Sequence, residues 1–160
     1  MMSLILCALF IILCFVKANP YCVGIYKGCS WIGNFAYPFF HGNILHAMCN
    51  SWAVLSVVFV FNVSLRRLIL CYLIAVFCPP FILSDIPAIG ASGMCYALFG
   101  SVVFLVRRKV YFVCYFLCFI ALGIAFRNAA VLIHLYCFSA GILFGLLNAP
   151  IYGKDNHTDN

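Results

Sequence analysis

Long apolar runs broken by single charges or short basic clusters make up most of the chain, and six of them approach the length of a membrane-spanning helix. They are Met1–Val16, Ile44–Phe61, Leu68–Leu83, Ser92–Val106, Val110–Phe126 and Ala130–Ala149. A bilayer's hydrocarbon core takes about 20 apolar residues of helix, with about 17 as the lower limit. None of the runs alternates with a period of two, which removes a β-barrel. Pro79–Pro80 should end the third helix and begin a loop to Gly90 that holds Asp85. The pattern predicts an all-α membrane protein, a six-transmembrane-helix bundle forming a single domain over residues 1–160, with 151–160 as a cytoplasmic tail.

Composition agrees with that pattern. Hydrophobic residues are 68% of the 160 positions and charged residues 8%, too few charges for a water-soluble surface. The formal charge of +6 suggests nucleic acid at first sight. The basic residues, however, stand between the apolar runs (Lys17, Lys27, Arg66–Arg67, Arg107–Arg108–Lys109, Arg127, Lys154), where they mark membrane boundaries and form no phosphate-binding stripe. No nucleic-acid partner is expected. Most of the eleven cysteines fall inside apolar runs and read as small packing residues. Cys22 and Cys29 lie in a polar stretch where an oxidising compartment would allow a disulfide. Val16-Lys17-Ala18 resembles a signal-peptide cleavage site, but no basic segment precedes the apolar run, so a retained first span is expected.

The positive-inside rule sets an orientation. The connections after the second and fourth runs carry Arg66, Arg67, Arg107, Arg108 and Lys109, whereas those after the third and fifth carry only Asp85 and Arg127. Both termini are then cytoplasmic, and the sequons at Asn62 and Asn156 should remain unglycosylated. Helix arithmetic next places the few intramembrane polar residues. Counting back from Arg107 at 1.5 Å per residue puts Ser92 roughly 8 Å below the outer face of a hydrocarbon layer about 30 Å thick. The same arithmetic puts His134 about 10 Å and Asn50 about 6 Å below that face, with His46 one turn higher. Three separate runs thus bring serine, histidine and asparagine to one depth.

Polar residues in a membrane are costly and point to function. Ser92 stands in Gly90-Ala91-Ser92-Gly93, where a loop becomes a helix with unpaired N–H groups that suit an oxyanion. A serine among glycines is also an ordinary turn. His134 is the only histidine in the later runs and is the candidate base, or else a buried ring bonded to a carbonyl. With no Glu and only Asp85, Asp155 and Asp159 as acids, a Ser–His dyad is simpler than a triad. His46 and Asn50, at i and i+4, share a helix face and serve either as oxyanion donors or as a polar clamp between helices. His41 belongs at the start of that helix as a weaker oxyanion candidate. No H-E-x-x-H motif and no intramembrane carboxylate are present, so neither metal nor other cofactor is expected. The spans hold no charged pore ring, which weakens a channel or transporter reading.

Three motifs together resemble the rhomboid family of intramembrane serine proteases: His41-x4-His46-x3-Asn50, Gly90-Ala91-Ser92-Gly93-Met94-Cys95-Tyr96-Ala97-Leu98-Phe99-Gly100, and His134 followed by Gly141. The resemblance covers essentially the whole chain. It implies a rhomboid-like six-helix bundle, with Ser92 and His134 as catalytic dyad and His46, Asn50 and the Ser92 amide around the oxyanion. By the same resemblance Tyr96 stacks on His134, and the substrates are single-span membrane proteins with helix-breaking Gly or Pro. The Phe- and Tyr-rich fifth run (Tyr111, Phe112, Tyr115, Phe116, Phe119) would be the movable wall. The expected location is a bacterial plasma membrane, with the active site open to the outer side. An inactive rhomboid-like scaffold that binds membrane clients is the other reading, although such a relative would be expected to lack the serine or the histidine. Two positions depart from the family pattern. Trp31 is followed by Ile32 where an Arg is common, and Cys137 stands where the family commonly has Gly, which suggests looser packing of the sixth helix on the fourth.

Overall fold

The computed structural model describes residues 2–125 and 130–148. Eight α-helices follow in order: α1 (Met2–Cys14), α2 (Pro20–Val23), α3 (Trp31–Ala36), α4 (Ile44–Phe61), α5 (Leu65–Val76), α6 (Ser92–Val102), α7 (Lys109–Ala125) and α8 (Val131–Leu147). Short 3-10 turns follow α5 at Pro80–Ile82 and α6 at Val103–Leu105. The described residues include no strand, only an isolated antiparallel bridge between Ile25 and Ala88.

α6 is the centre. Every residue from Gly93 to Val102 is buried, as expected of a helix that is apolar all round. α8, α5 and α4 pack on it, and α1 covers α4. The α6–α8 seam is the closest of these contacts because it is built from glycines. A Cβ on Gly141 would collide with the Ala97 carbonyl, and one on Gly145 would come within 2.6 Å of the Ser101 carbonyl oxygen. Close backbone approach through small residues is how helices associate where no water drives them together. Cys137, buried on the same seam, fits beside Gly93, so the substitution for glycine leaves no gap: its Sγ would be 3.4 Å from a Cβ on Gly93. α7 stands further out and meets α6 through rings, with Phe119 and Phe116 at 5.1 and 5.2 Å from Phe99. Around the bundle large apolar side chains face outward, among them Ile12, Phe59, Leu117 and Leu135. A surface of this kind suits hydrocarbon and would be an association hazard in water.

The second expected span, Ile44–Phe61, is α4 to the residue, because Asn43 caps its start by accepting the His46 N–H (2.8 Å) and Asn62 ends it in the left-handed region at φ 46°. The third was expected over Leu68–Leu83 and is displaced: α5 starts at Leu65 and ends at Val76. Ser64 caps its start by accepting the Arg67 N–H (3.3 Å), so the basic pair lies inside the helix. Pro79 restricts the residue before it and brings the helix to an early end. Arg67 itself is buried and donates to the Ser101 carbonyl at 2.6 Å, with the Phe144 ring 5.6 Å from its guanidinium carbon. The fourth, fifth and sixth spans correspond to α6 with its 3-10 turn, α7 and α8, within a few residues. Phe126, Ala149 and the tail 151–160 lie outside the described residues. Among those described, α4 alone is long and apolar enough to cross a membrane by length and composition; α1, α6 with its 3-10 turn, α7 and α8 are apolar but shorter.

Candidate active site

The connection between α1 and α4 carries α2 and α3, each begun by a cap. Asn19 accepts the Tyr21 N–H at 3.0 Å with Pro20 at the first helical position, and Ser30 accepts the Gly33 N–H at 3.3 Å. The thiols of Cys22 and Cys29 are free, and Cys29 donates to Asn34 Oδ1 at 2.9 Å. This connection holds the loop that leads to Ser92. Ile25 and Ala88 exchange both backbone bonds (2.9 and 3.0 Å), and the Lys27 N–H donates to the Ser84 carbonyl (2.8 Å). Buried Tyr37 accepts the Gly90 N–H on its carbonyl (2.8 Å) and donates its hydroxyl to Ala75 of α5 (3.0 Å). No local sequence signal marks these long-range ties. The caps at Asn19-Pro20 and Ser30 were readable signals for α2 and α3.

Ser92 is the first residue of α6, and its Oγ lies 2.8 Å from His134 Nε2 on α8. Both are half-buried. Tyr96, one turn along α6, stacks on the His134 ring at 4.4 Å between centroids and 18° between planes. Phe119 of α7, 5.3 Å from Tyr96, backs that stack. Ser92, Tyr96 and His134 line a cavity of 320 Å³ together with His46, Cys49 and Asn50 of α4 and Phe119, Leu122 and Gly123 of α7. Cys49 and Gly123 are lining residues that sequence reasoning did not single out.

Gly90 has φ +127°, open only to glycine at low cost, and a Cβ there would come 2.6 Å from His46 Cε1 and 3.5 Å from Asn50 Nδ2. The missing side chain is what lets His46 and Asn50 sit beside the start of α6. Gly93 is buried and faces the Tyr37 hydroxyl, and Gly141 lies on the α6–α8 seam below His134. Asn50 is buried, and its Nδ2 is 3.0 Å from His41 Nε2.

His41 differs from the expectation. It is buried, does not line the cavity, and its Nε2 accepts the Ala91 N–H at 3.3 Å as well as meeting Asn50. Its Nδ1 is 3.3 Å from the Phe39 carbonyl. Those partners fix one tautomer, with the proton on Nδ1 and the lone pair on Nε2. Burial, with the neighbouring His46 ring adding to it, lowers the His41 pKa to about 4, so the ring is neutral at ordinary pH. In this arrangement His41 is an acceptor that orients Asn50 and the peptide just before Ser92, and it has no free proton for an oxyanion.

The arrangement is chemically coherent. Ser92 has a base in hydrogen-bond reach, and its own N–H, at the first helical position, has no intrahelical partner. Asn50 gives one Nδ2–H to His41 and keeps the other. Asp85, the only carboxylate side chain among the described residues, belongs to the loop before α6. Among those residues no three His, Cys, Asp or Glu side chains form a group able to hold a metal ion.

Comparison with known proteins agrees in one respect. No curated protein and no solved structure matches the chain. The Rhomboid domain family matches residues 28–153, a stretch that contains the Ser92 and His134 helices, the short helix α3 and the whole of α4. By that match, over most of its length, the chain is a member of the rhomboid family and an integral membrane protein.

Proposed function

We propose that the chain is an intramembrane serine endopeptidase that cleaves the transmembrane segment of single-span membrane proteins. The observation that carries this reading is the 2.8 Å contact of Ser92 Oγ with His134 Nε2 inside a cavity that His46 and Asn50 also line. Ser92 Oγ attacks the scissile carbonyl carbon while His134 Nε2 takes its proton. The carbonyl oxygen becomes an oxyanion, met by the Ser92 N–H, the second Nδ2–H of Asn50 and the His46 ring. Collapse of that intermediate breaks the C–N bond, and His134 returns its proton to the leaving amine. The acyl group is then on Ser92. A water deprotonated by His134 attacks it, and the serine is regenerated. Tyr96 holds the imidazole plane, a task that a carboxylate performs in a triad.

Ser92 starts a buried helix, so a substrate must reach it sideways and unwind to offer its backbone. α4 and α7 flank the cavity, and α7, attached mainly through aromatic rings, is the wall that yields. Six crossings with both termini in the cytoplasm and the cavity open to the outer side fit the charge pattern. No cofactor enters. The bonded pair and its cavity favour a protease over an inactive client-binding relative, which needs neither. The test is cleavage of a single-span reporter by the protein in proteoliposomes. Wild type should cut it, and Ser92→Ala and His134→Ala should each abolish cutting without adding to one another. Cutting that persists in Ser92→Ala would refute the assignment.

A further inference from the structure

A second cavity, of 690 Å³, lies between α4 and α7 at the end of the bundle remote from Ser92. Val60 and Phe61 of α4, Phe112 of α7 and buried Phe99 of α6 give it apolar walls. Arg107 and Arg108, exposed in the turn between α6 and α7, also line it. Three hydroxyls also line it, those of Ser56, Tyr115 and exposed Tyr111. That of Tyr115 is buried and makes no hydrogen bond of good geometry, although Ser56, which interacts with it, lines the same cavity.

We propose that this cavity binds one anionic phospholipid, with its phosphate on Arg107 and Arg108, its glycerol backbone passing Val60 and Phe112, an ester carbonyl on the Tyr115 hydroxyl, and an acyl chain against Phe99. The arginines stand at the entrance, Val60, Phe61 and Phe112 within a turn of it, and Ser56 and Tyr115 about one turn further in, a spacing that suits the phosphate and ester of such a lipid. Guanidinium groups suit phosphate, and each basic residue at an anionic bilayer surface is worth about 1 kcal/mol. Among the described residues the only carboxylate, Asp85, is separated from the two arginines by the length of α6. A transmembrane segment, the other occupant that a membrane offers, would bring no phosphate to the two guanidinium groups. Since α4 and α7 also wall the catalytic cavity, a bound lipid braces the same two helices at their other end.

Trp52 reports on the site, because its ring is 4.7 Å from Tyr115. The other tryptophan is removed by Trp31→Phe, and the full chain is reconstituted in phosphatidylcholine vesicles. Trp52 quenching is then compared between added dibrominated phosphatidylglycerol and equal dibrominated phosphatidylcholine. The expected result is stronger, saturable quenching by the anionic lipid. R107Q/R108Q should lower its relative association roughly thirtyfold, which corresponds to about 2 kcal/mol. R66Q, an exposed arginine on another helix, should leave the preference unchanged. Should R107Q/R108Q fail to reconstitute, Tyr115→Phe carries the test, with an expected loss of about fivefold, equivalent to one hydrogen bond of about 1 kcal/mol. Equal quenching by the two lipids, including the case in which a transmembrane segment fills the cavity, overturns the proposal. So does an anionic preference that survives R107Q/R108Q, or Tyr115→Phe where that variant carries the test.

Discussion

Asn50 has two protons on one nitrogen, and their division between His41 and the cavity gives the oxyanion reading its test. If His46 and Asn50 stabilise the tetrahedral intermediate, Ala at either position should lower kcat about a hundredfold, since loss of one such donor costs about 3 kcal/mol. A polar clamp between membrane helices averages about 0.6 kcal/mol and would be seen in melting temperature. Measuring kcat and Tm together for both variants separates the two roles, and normal turnover with early melting would make the pair scaffolding. His41 carries a different expectation. Its folded pKa is about 4 against 6.5 for the ordinary ring, so between those values the unfolded chain binds the extra proton. Its share of stability is therefore complete above pH 6.5 and is lost as pH falls toward 4, on the order of 3 kcal/mol. His41→Gln should flatten the Tm–pH slope over that window. An unchanged slope would mean that the ring is not held neutral. Ser92, His134, His46 and Asn50 were readable in the sequence because helix rise converts residue number into depth. The partners of His41 were not, since they depend on where residues 39 and 91 meet in space.

Among the elements, the α6–α8 pair decides whether the dyad forms, because Ser92 and His134 sit on its two helices. Gly141 sets their separation, having no room for a Cβ against the Ala97 carbonyl. Gly141→Ala should push α8 away from α6 and lengthen the 2.8 Å Ser92–His134 contact. Near-attack geometry tolerates little displacement, so activity should fall about a hundredfold and Tm should drop with it. A fully active Gly141→Ala would show that the seam does not set the dyad's geometry. Helix positions were largely legible from apolar runs and prolines. α5 was misplaced because Arg67 looked like a membrane boundary, whereas its guanidinium is buried on the Ser101 carbonyl. A charge that satisfies a helix end from inside the bundle has the same sequence signature as one at the bilayer surface. α2 and α3 were passed over because apolar periodicity has no meaning over four or six residues, and only their caps announce them.

At the scale of the whole molecule, α4, α5, α7 and α8 surround one buried apolar helix, with the cavity of Ser92 and His134 at one end and buried Arg67 toward the other. The apolar runs predicted an all-helical membrane bundle, and the family match over residues 28–153 agrees with that class; that α6 stands at the centre was not read from the sequence. The ties of the α1–α4 connection to the loop before Ser92 were beyond sequence reading, since Ile25, Tyr37, Ala88 and Gly90 act there through backbone atoms that any residue possesses. These ties hold Ser92 at the mouth of α6, so under the proposed function its hydroxyl should react in the intact, membrane-embedded protein. The most direct measurement is reaction of the reconstituted chain with a fluorophosphonate, followed by peptide mass mapping of the adduct. The account predicts one adduct, on Ser92, absent in Ser92→Ala and abolished in His134→Ala. Labelling that survives Ser92→Ala, or a wild-type chain that never reacts, would contradict it.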